Sequence, residues 1–151
     1  MTASVSALDV IDALRGTGQT VATAESLTGG LLCATLVDVP GASDVLRGGV
    51  VAYLPETKSD VLGVDPALIE RVGTVHADVA AQMAEGAVRV LGSTWGVATT
   101  GVAGPEPSEG KAVGTVHVAV AGPDGVDTRE LSLHGDRRSS ASRRSTQRCH
   151  S

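Results

Sequence analysis

Short segments typical of strands alternate with segments typical of helices along most of this chain. Apolar residues at positions 5, 8, 11 and 14 fall on one face of a helix, and two glycines at 16 and 18 end it. The Val- and Ala-rich segments 19–24 and 48–54 instead predict buried strands. The predicted order is a helix at 5–15, a strand at 19–24, a helix at 28–39, a strand at 48–54, helices at 55–63, 65–73 and 77–91, a strand from 95, and a hairpin of strands at 113–122 and 126–133.

This alternation restricts the chain to the α/β class of folds. Strands separated by helices pair in parallel and need helices on both faces of their sheet. Because the final hairpin adds antiparallel strands, we expect a three-layer α/β/α sandwich with a mixed, partly parallel sheet. The chain has 151 residues, of which 42% are hydrophobic, and this suits one core. We predict one domain over residues 1–137 and a disordered Arg/Ser-rich tail over residues 138–151.

Composition and charge exclude several classes of function. The net charge is −5, although residues 135–151 contain five arginines and one aspartate, so the body of the chain is acidic. An acidic body argues against nucleic-acid binding, and the basic tail has no aromatic residue to stack on bases. Two distant cysteines without a CxxC pair indicate neither a disulfide framework nor a metal site, and we expect no cofactor. No apolar run reaches about 18 residues and no signal-peptide pattern is present, so we expect a cytoplasmic protein without membrane binding.

The segment "TAESLTGGLL", residues 23–32, has two interpretations. Ser26 or Thr28 could be the N-cap of the following helix, where a hydroxyl stabilises by about 1 kcal/mol. Alternatively, Ser26 is a nucleophile on a strand-to-helix turn, and the amides of Thr28, Gly29 and Gly30 face a developing oxyanion or a phosphate. The segment is not a GxSxG elbow, so it does not indicate a standard hydrolase.

A nucleophilic serine needs a base, for which histidine and lysine are the candidates. None of the histidines has a neighbouring carboxylate pattern typical of a catalytic triad, and they are His76, His117, His134 and His150. Lys58 follows the buried strand 48–54, and a lysine in a desolvated cleft loses its proton more readily. Tyr53 could orient this lysine or relay a proton. A solvated lysine and a core tyrosine remain the structural alternative.

A second glycine-rich turn, "TTGVAGP", covers residues 99–105 after the predicted strand at 95. Its backbone amides could hold a phosphate. It matches neither GxxxxGK[ST] nor GxGxxG, and an ordinary turn explains it equally well. Ligands in open α/β sheets bind at the carboxyl ends of the strands. The three segments "AESLTGG", "YLPETK" and "TGVAGP" all follow predicted strands and could therefore share one cleft.

The set of motifs "AESLTGG", "VPGASDVLRGGVVAY" with Lys58, "GVATTGVAGP" and "VGTVHVAV" resembles the CinA C-terminal domain family, from about residue 5 to Arg137. Members are nicotinamide-nucleotide amidohydrolases, also called competence/damage-inducible proteins. The resemblance implies an α/β/α sandwich that hydrolyses nicotinamide mononucleotide to nicotinic acid mononucleotide and ammonia. This reaction recycles pyridine nucleotides toward NAD and needs no metal or cofactor. Because family members are often dimers, a homodimer is also an expectation.

The resemblance also implies roles for individual residues. Ser26 would be the nucleophile and Lys58 its base, with Tyr53 close by. The implied substrate contacts are an anion or oxyanion cradle at Thr28, Gly29 and Gly30, a nucleotide site at Thr100, Gly101 and Gly104, and a phosphate partner at Arg137.

The sequence departs from the family pattern in three places, and two of them, the segment 105–110 and the tail, favour an alternative, a nucleotide-binding or regulatory module without turnover. Leu27 replaces the usual Cys, and the segment 105–110 has fewer glycines and brings in Glu106 and Glu109. The tail "RSSASRRSTQRCHS" replaces an amphipathic helix, since it has one Ala and one Cys among polar residues. A shifted reading frame at the gene's end would explain that tail.

Overall fold

The computed structural model describes residues 6–102 and 109–132. The predicted order of helices and strands is confirmed, with one additional 3₁₀ turn at Ala42–Asp44. The helices are α1 (Ala7–Thr17), α2 (Leu31–Val37), α3 (Pro55–Leu62), α4 (Pro66–Val72) and α5 (Ala77–Leu91), and the strands are β1 (Val21–Glu25), β2 (Leu46–Val51), β3 (Trp95–Gly101), β4 (Thr115–Gly122) and β5 (Gly125–Ser132).

The five strands form one mixed sheet in the order β2-β1-β3-β4-β5. Strand β1 pairs in parallel with both β2 and β3, and the β3–β4 and β4–β5 pairs are antiparallel. The prediction of a partly parallel sheet that ends in an antiparallel hairpin is therefore confirmed. The carboxyl ends of β2, β1 and β3 lie side by side, and the amino end of β4 lies next to the carboxyl end of β3.

Helices cover both faces of the sheet, so the predicted three layers are present. One core lies under α3, α4 and α5 and includes Ala22, Ala24 and Ala98 of the sheet. The other lies under α1 and α2 and includes Val21 and Val97. Alternate residues of β1 thus face opposite layers, as expected for a strand.

At two places α5 packs with its backbone close to that of its neighbours, which suits a chain with few aromatic residues. Gly96 of β3 faces the backbone of α5, where an added Cβ would collide with the carbonyl oxygen of Ala84. Gly86 on α5 similarly leaves room for the backbone of Leu62 in α3. Small side chains at these contacts let the backbones approach, so large aromatic side chains have no space to fill.

The predicted bounds differ from the observed ones in several places, and two of these differences affect the site. The helix predicted at 28–39 begins only at Leu31, because Gly29 and Gly30 have φ values of 61° and 104°, which a helix cannot contain. The strand predicted at 48–54 spans Leu46–Val51, so Tyr53 lies beyond the strand. Pro55 begins α3, and the segment before it must leave the sheet to reach that helix.

Part of the sequence-based interpretation lies outside the described residues. This applies to the site residues Gly104 and Arg137, to His134 and to the tail at 138–151. Among the helices that the structure describes, none is both long and apolar enough to cross a membrane.

Candidate active site

Ser26 lies at the carboxyl end of β1, where the chain turns before α2. Its side chain is 8% exposed. The N-cap position of α2 is occupied by Gly30, which offers no side-chain hydrogen bond, so neither Ser26 nor Thr28 is the N-cap residue. The hydroxyl of Ser26 instead accepts a hydrogen bond from Lys58 Nζ at 3.0 Å.

Lys58 lies on α3 and is buried, with 1% of its surface exposed. Its position follows from the chain path: β2 is the edge strand next to β1, and α3 begins at Pro55 just after it. Besides Ser26 Oγ, Lys58 Nζ contacts the carbonyl oxygens of Ala52 at 2.8 Å and Tyr53 at 3.2 Å. The alternative of a solvated lysine is therefore wrong.

The partners of Lys58 Nζ suit a neutral amine. A neutral amine has two N–H donors and one lone pair, whereas a carbonyl oxygen can only accept. The carbonyls of Ala52 and Tyr53 take both donors, which leaves the lone pair for Ser26, whose hydroxyl can donate. The same three partners also accept from the protonated ammonium, so the site holds Lys58 in both states.

Burial makes the neutral state of Lys58 accessible near neutral pH. Desolvation lowers the pKa of Lys58 from 10.5 to about 8, although the negative charge of Glu109 opposes this shift. A pKa of about 8 suits a group that must both take and return a proton under physiological conditions.

Tyr53 contributes its backbone rather than its ring. Its side chain is 63% exposed, and its carbonyl oxygen is the group that contacts Lys58. The alternative of a core tyrosine is therefore wrong, and a catalytic role for its phenol stays a prediction.

The turn after Ser26 is stabilised from within. The amide of Gly29 donates to the carbonyl of Ser26 at 3.1 Å, and the Thr28 hydroxyl donates to Glu25. Within the described part of the chain, the amides of Thr28 and Gly30 have no acceptor. Of the three predicted cradle amides, that of Gly29 is therefore already bonded within the protein.

Thr100 and Gly101 end β3, next to the turn that holds Ser26. The Thr100 hydroxyl is buried and donates to the carbonyl oxygen of Thr74 at 2.7 Å. Gly101 lies against Val116 of β4. The two residues predicted to line a nucleotide site are thus neighbours at the end of β3, and the Thr100 hydroxyl is already bonded within the protein.

Glu109 also lies in this region. The sequence alone suggested for it only a negative charge that could repel a phosphate. Its carboxylate accepts from the amides of Thr74 and Val75 at 3.0 Å and from the Thr74 hydroxyl at 2.9 Å. Burial favours a raised pKa of Glu109, but these hydrogen bonds and the charge of Lys58 hold that pKa below its usual value. Glu109 is therefore an anion, and its charge raises the pKa of Lys58.

Glu25 is the residue that sequence reasoning missed. It has no exposed surface, and its carboxylate accepts from the Thr28 hydroxyl, the Leu32 amide and the Cys33 amide. The available signal was an acidic residue at the end of a fully buried strand, directly before the glycine-rich turn.

Neither of the described histidines has a hydrogen bond to Ser26. His76 is the N-cap of α5, where its Nδ1 accepts from the Asp78 amide at 3.0 Å. His117 on β4 is buried and stacks on His76 with ring centroids 6.3 Å apart. Lys58 is therefore the base candidate that the structure brings to Ser26. Over the described ranges, no group of three or more His, Cys, Asp or Glu residues could hold a metal ion.

The fold and this site together define an α/β sandwich that buries a Ser–Lys pair at the carboxyl ends of its parallel strands. The model of the CinA C-terminal domain matches residues 4–149, and the chain therefore belongs to this family.

Relatives and solved structures agree with this assignment. The chain is 56% identical over 118 residues to a CinA-like protein from Frankia casuarinae and 55% identical over 130 residues to one from a Synechococcus species. These alignments cover 78% and 85% of this chain but only 27% and 31% of the relatives, so the chain spans about a third or less of their length.

Among solved structures, competence/damage inducible protein CihA from Agrobacterium tumefaciens superposes with a TM-score of 0.90 at 32% identity. That superposition covers 99% of this chain and 96% of CihA. A competence-damaged protein (CinA) superfamily member from Klebsiella pneumoniae superposes with a TM-score of 0.92 at 28% identity. That superposition covers 95% of this chain and 91% of the Klebsiella pneumoniae protein.

Proposed function

We propose that this chain is an amidohydrolase that converts nicotinamide mononucleotide to nicotinic acid mononucleotide and ammonia. The contact between Lys58 Nζ and Ser26 Oγ carries the proposal, because it joins a desolvated amine to a buried hydroxyl. A Ser–Lys pair is an established solution for acyl transfer on unrelated folds. The choice of substrate rests on the family resemblance.

The first half-reaction forms an acyl-enzyme. Neutral Lys58 takes the proton of the Ser26 hydroxyl while Oγ forms a bond to the carboxamide carbon, whose oxygen becomes an oxyanion. The amides of Thr28 and Gly30 are the proposed oxyanion donors, and removal of one such donor lowers kcat by about 10²–10³ in a known protease. The C–N bond then breaks, and the Lys58 ammonium gives its proton to the leaving nitrogen, which departs as ammonia.

The second half-reaction releases the acid. Neutral Lys58 takes a proton from a water molecule, whose oxygen attacks the ester carbon. The bond to Ser26 Oγ breaks, and the lysine returns the proton to the serine. Nicotinic acid mononucleotide leaves, and both residues are restored. Positioned proton transfer of this kind contributes about 10²–10⁴ to a rate.

A second candidate is a nucleotide-binding module of the same fold without turnover. Two observations favour it. The Gly29 amide already donates to the carbonyl of Ser26, so one of the three predicted oxyanion donors is occupied. The Glu109 charge also raises the pKa of Lys58, which reduces the fraction of neutral lysine that could act as a base.

Ammonia release from nicotinamide mononucleotide tests the proposal. The wild type, Ser26→Ala and the control Ser59→Ala, which changes a serine beside Lys58, are compared after circular dichroism has confirmed folding. We expect release by the wild type and the control but none by Ser26→Ala. Release by Ser26→Ala at the wild-type rate would contradict the assignment of Ser26 as the nucleophile. If the folded wild type binds the nucleotide by calorimetry but releases no ammonia, the binding module is the correct function.

A further inference from the structure

Glu25 is a fully buried carboxylate that does not contact Lys58 through any hydrogen bond. A buried carboxylate is costly unless hydrogen bonds satisfy it. Here two backbone amides and one hydroxyl donate to its oxygens: Leu32 N at 2.9 Å, Cys33 N at 3.0 Å, and the Thr28 hydroxyl. The residue is therefore held in one orientation with its charge compensated.

The two amides belong to the first turn of α2. This turn normally receives a hydrogen bond from the side chain of the N-cap residue, but Gly30 has none. Glu25 replaces that cap from the end of the preceding strand, and its negative charge also suits a helix N-terminus. Glu25 precedes the turn at residues 26–30, and its carboxylate contacts the first turn of α2 after it, so the side chain bridges the two ends of this turn.

The hydroxyl contact extends this link to β3. Thr28 has a single hydroxyl proton and gives it to Glu25, so in the 3.2 Å contact between Thr28 and Thr99 the proton comes from Thr99. The direction of donation is therefore Thr99 to Thr28 to Glu25. The middle of the turn is fixed to the strand that ends at Thr100 and Gly101.

The backbone of Glu25 links the same turn to the lysine. Its carbonyl accepts from the Ala52 amide at 2.8 Å, and the Ala52 carbonyl accepts from Lys58 Nζ. One residue thus joins, through its side chain and its backbone, the turn that carries Ser26 and the segment that holds Lys58.

We propose that Glu25 is a positioning residue whose carboxylate fixes the turn at residues 26–30, so that Ser26 Oγ stays at Lys58 Nζ and the amides of Thr28 and Gly30 stay oriented toward the substrate. Its kinetic consequence for ammonia release rests on the proposed amidohydrolase function. Misplacement of reacting groups by about 1 Å can lower a rate by about 10². A purely structural cap would instead lower stability and leave the reactivity of the folded protein unchanged.

The central variant is Glu25→Gln, which keeps the shape but places an NH₂ group opposite N–H donors. Thr28→Val removes the hydroxyl with little change of shape, and Thr28→Ser restores it. Asp65→Asn is the matched control, because Asp65 caps α4 through the Ala67 amide away from Ser26. All rates are measured at a temperature at which every variant is folded.

The primary measurement is the rate at which a fluorophosphonate labels Ser26, followed by mass spectrometry of the peptide. Such labelling needs a poised nucleophile but no amidase turnover. We expect labelling and kcat for ammonia release to fall by about 10- to 100-fold in Glu25→Gln and Thr28→Val, with KM nearly unchanged. Asp65→Asn should react as the wild type does, Thr28→Ser should be labelled faster than Thr28→Val, and the Glu25→Gln/Thr28→Val double variant should lose no more than the larger single effect.

The outcomes separate this inference from the proposed function. If labelling differs as expected but the wild type releases no ammonia, the amidase proposal fails and the positioning role stands. If Glu25→Gln is labelled at the wild-type rate, or if Ser26 of the wild type is not labelled at all, the positioning role is overturned.

Discussion

Replacement of Glu109 by glutamine should shift the pH dependence of activity toward acid. Neutral Lys58 is the form that takes a proton, and the pKa of Lys58 is lowered to about 8 by burial in spite of the Glu109 charge. At about pH 7 only about a tenth of the wild-type molecules then carry a neutral Lys58, whereas about two pH units higher nearly all of them do. We therefore expect the wild-type rate to rise about tenfold over this range, with a midpoint near 8.

Glu109→Gln removes the charge that holds the proton on Lys58, while the glutamine oxygen can still accept from the Thr74 and Val75 amides. The midpoint should move below 8, and the rate at about pH 7 should increase by at most about tenfold, since no more than the whole population can become neutral. A less basic lysine also transfers the proton less efficiently, so the plateau should not rise.

The assay is the pH profile of kcat/KM for ammonia release, together with the NMR titration of the Lys58 side chain. Glu130→Gln is the control, because Glu130 is an exposed carboxylate on β5 that faces His117 rather than Lys58. An unchanged or alkaline-shifted midpoint in Glu109→Gln would refute the reasoning, as would an equal shift in the control.

Three further predictions concern the ring of Tyr53, the burial of His117 and the packing of α5. Tyr53→Phe should keep the wild-type kcat, because the contact with Lys58 uses the carbonyl oxygen; a large fall in kcat would return the phenol to the mechanism. Burial lowers the pKa of His117 from 6.5, so just below pH 6.5 the unfolded chain binds a proton that the folded chain does not. Stability is therefore lost as the pH falls below 6.5. His117→Phe should make Tm less dependent on pH in that range. Gly96→Ala should lower the free energy of unfolding by about 1–3 kcal/mol in denaturant titrations, whereas Gly16→Ala, which has open space around it, should not lower it.

The order of helices and strands could be predicted because hydrophobic periodicity reports on local burial. The segment 77–91 has this signal over four turns, and α5 has these bounds. The start of α2 could not be predicted in this way, because apolar periodicity continues toward the glycines while the φ values of Gly29 and Gly30 end the helix. The prediction of Tyr53 in a strand failed for a related reason, since Ala52 and Tyr53 continue the apolar run after pairing with β1 has ended.

The pairing of Ser26 with Lys58 could be proposed because both follow neighbouring parallel strands and share the edge where those strands end. The role of Glu25 could not, because its partners at Leu32 and Cys33 depend on how α2 returns over β1. The contacts of Glu109 join it to Thr74, which is 35 residues away in sequence. Such long-range polar contacts leave no periodic signal.

Loss of the Lys58 amine is the most direct test of the proton transfer between Lys58 and Ser26. Lys58→Met keeps the length of the side chain without the base, and Lys111→Met removes the only other lysine of the chain as a control. We expect the rate of ammonia release from nicotinamide mononucleotide to fall by about 10²–10⁴ in folded Lys58→Met and to stay at the wild-type value in Lys111→Met. A folded Lys58→Met protein that releases ammonia at the wild-type rate would contradict the assignment of Lys58 as the base.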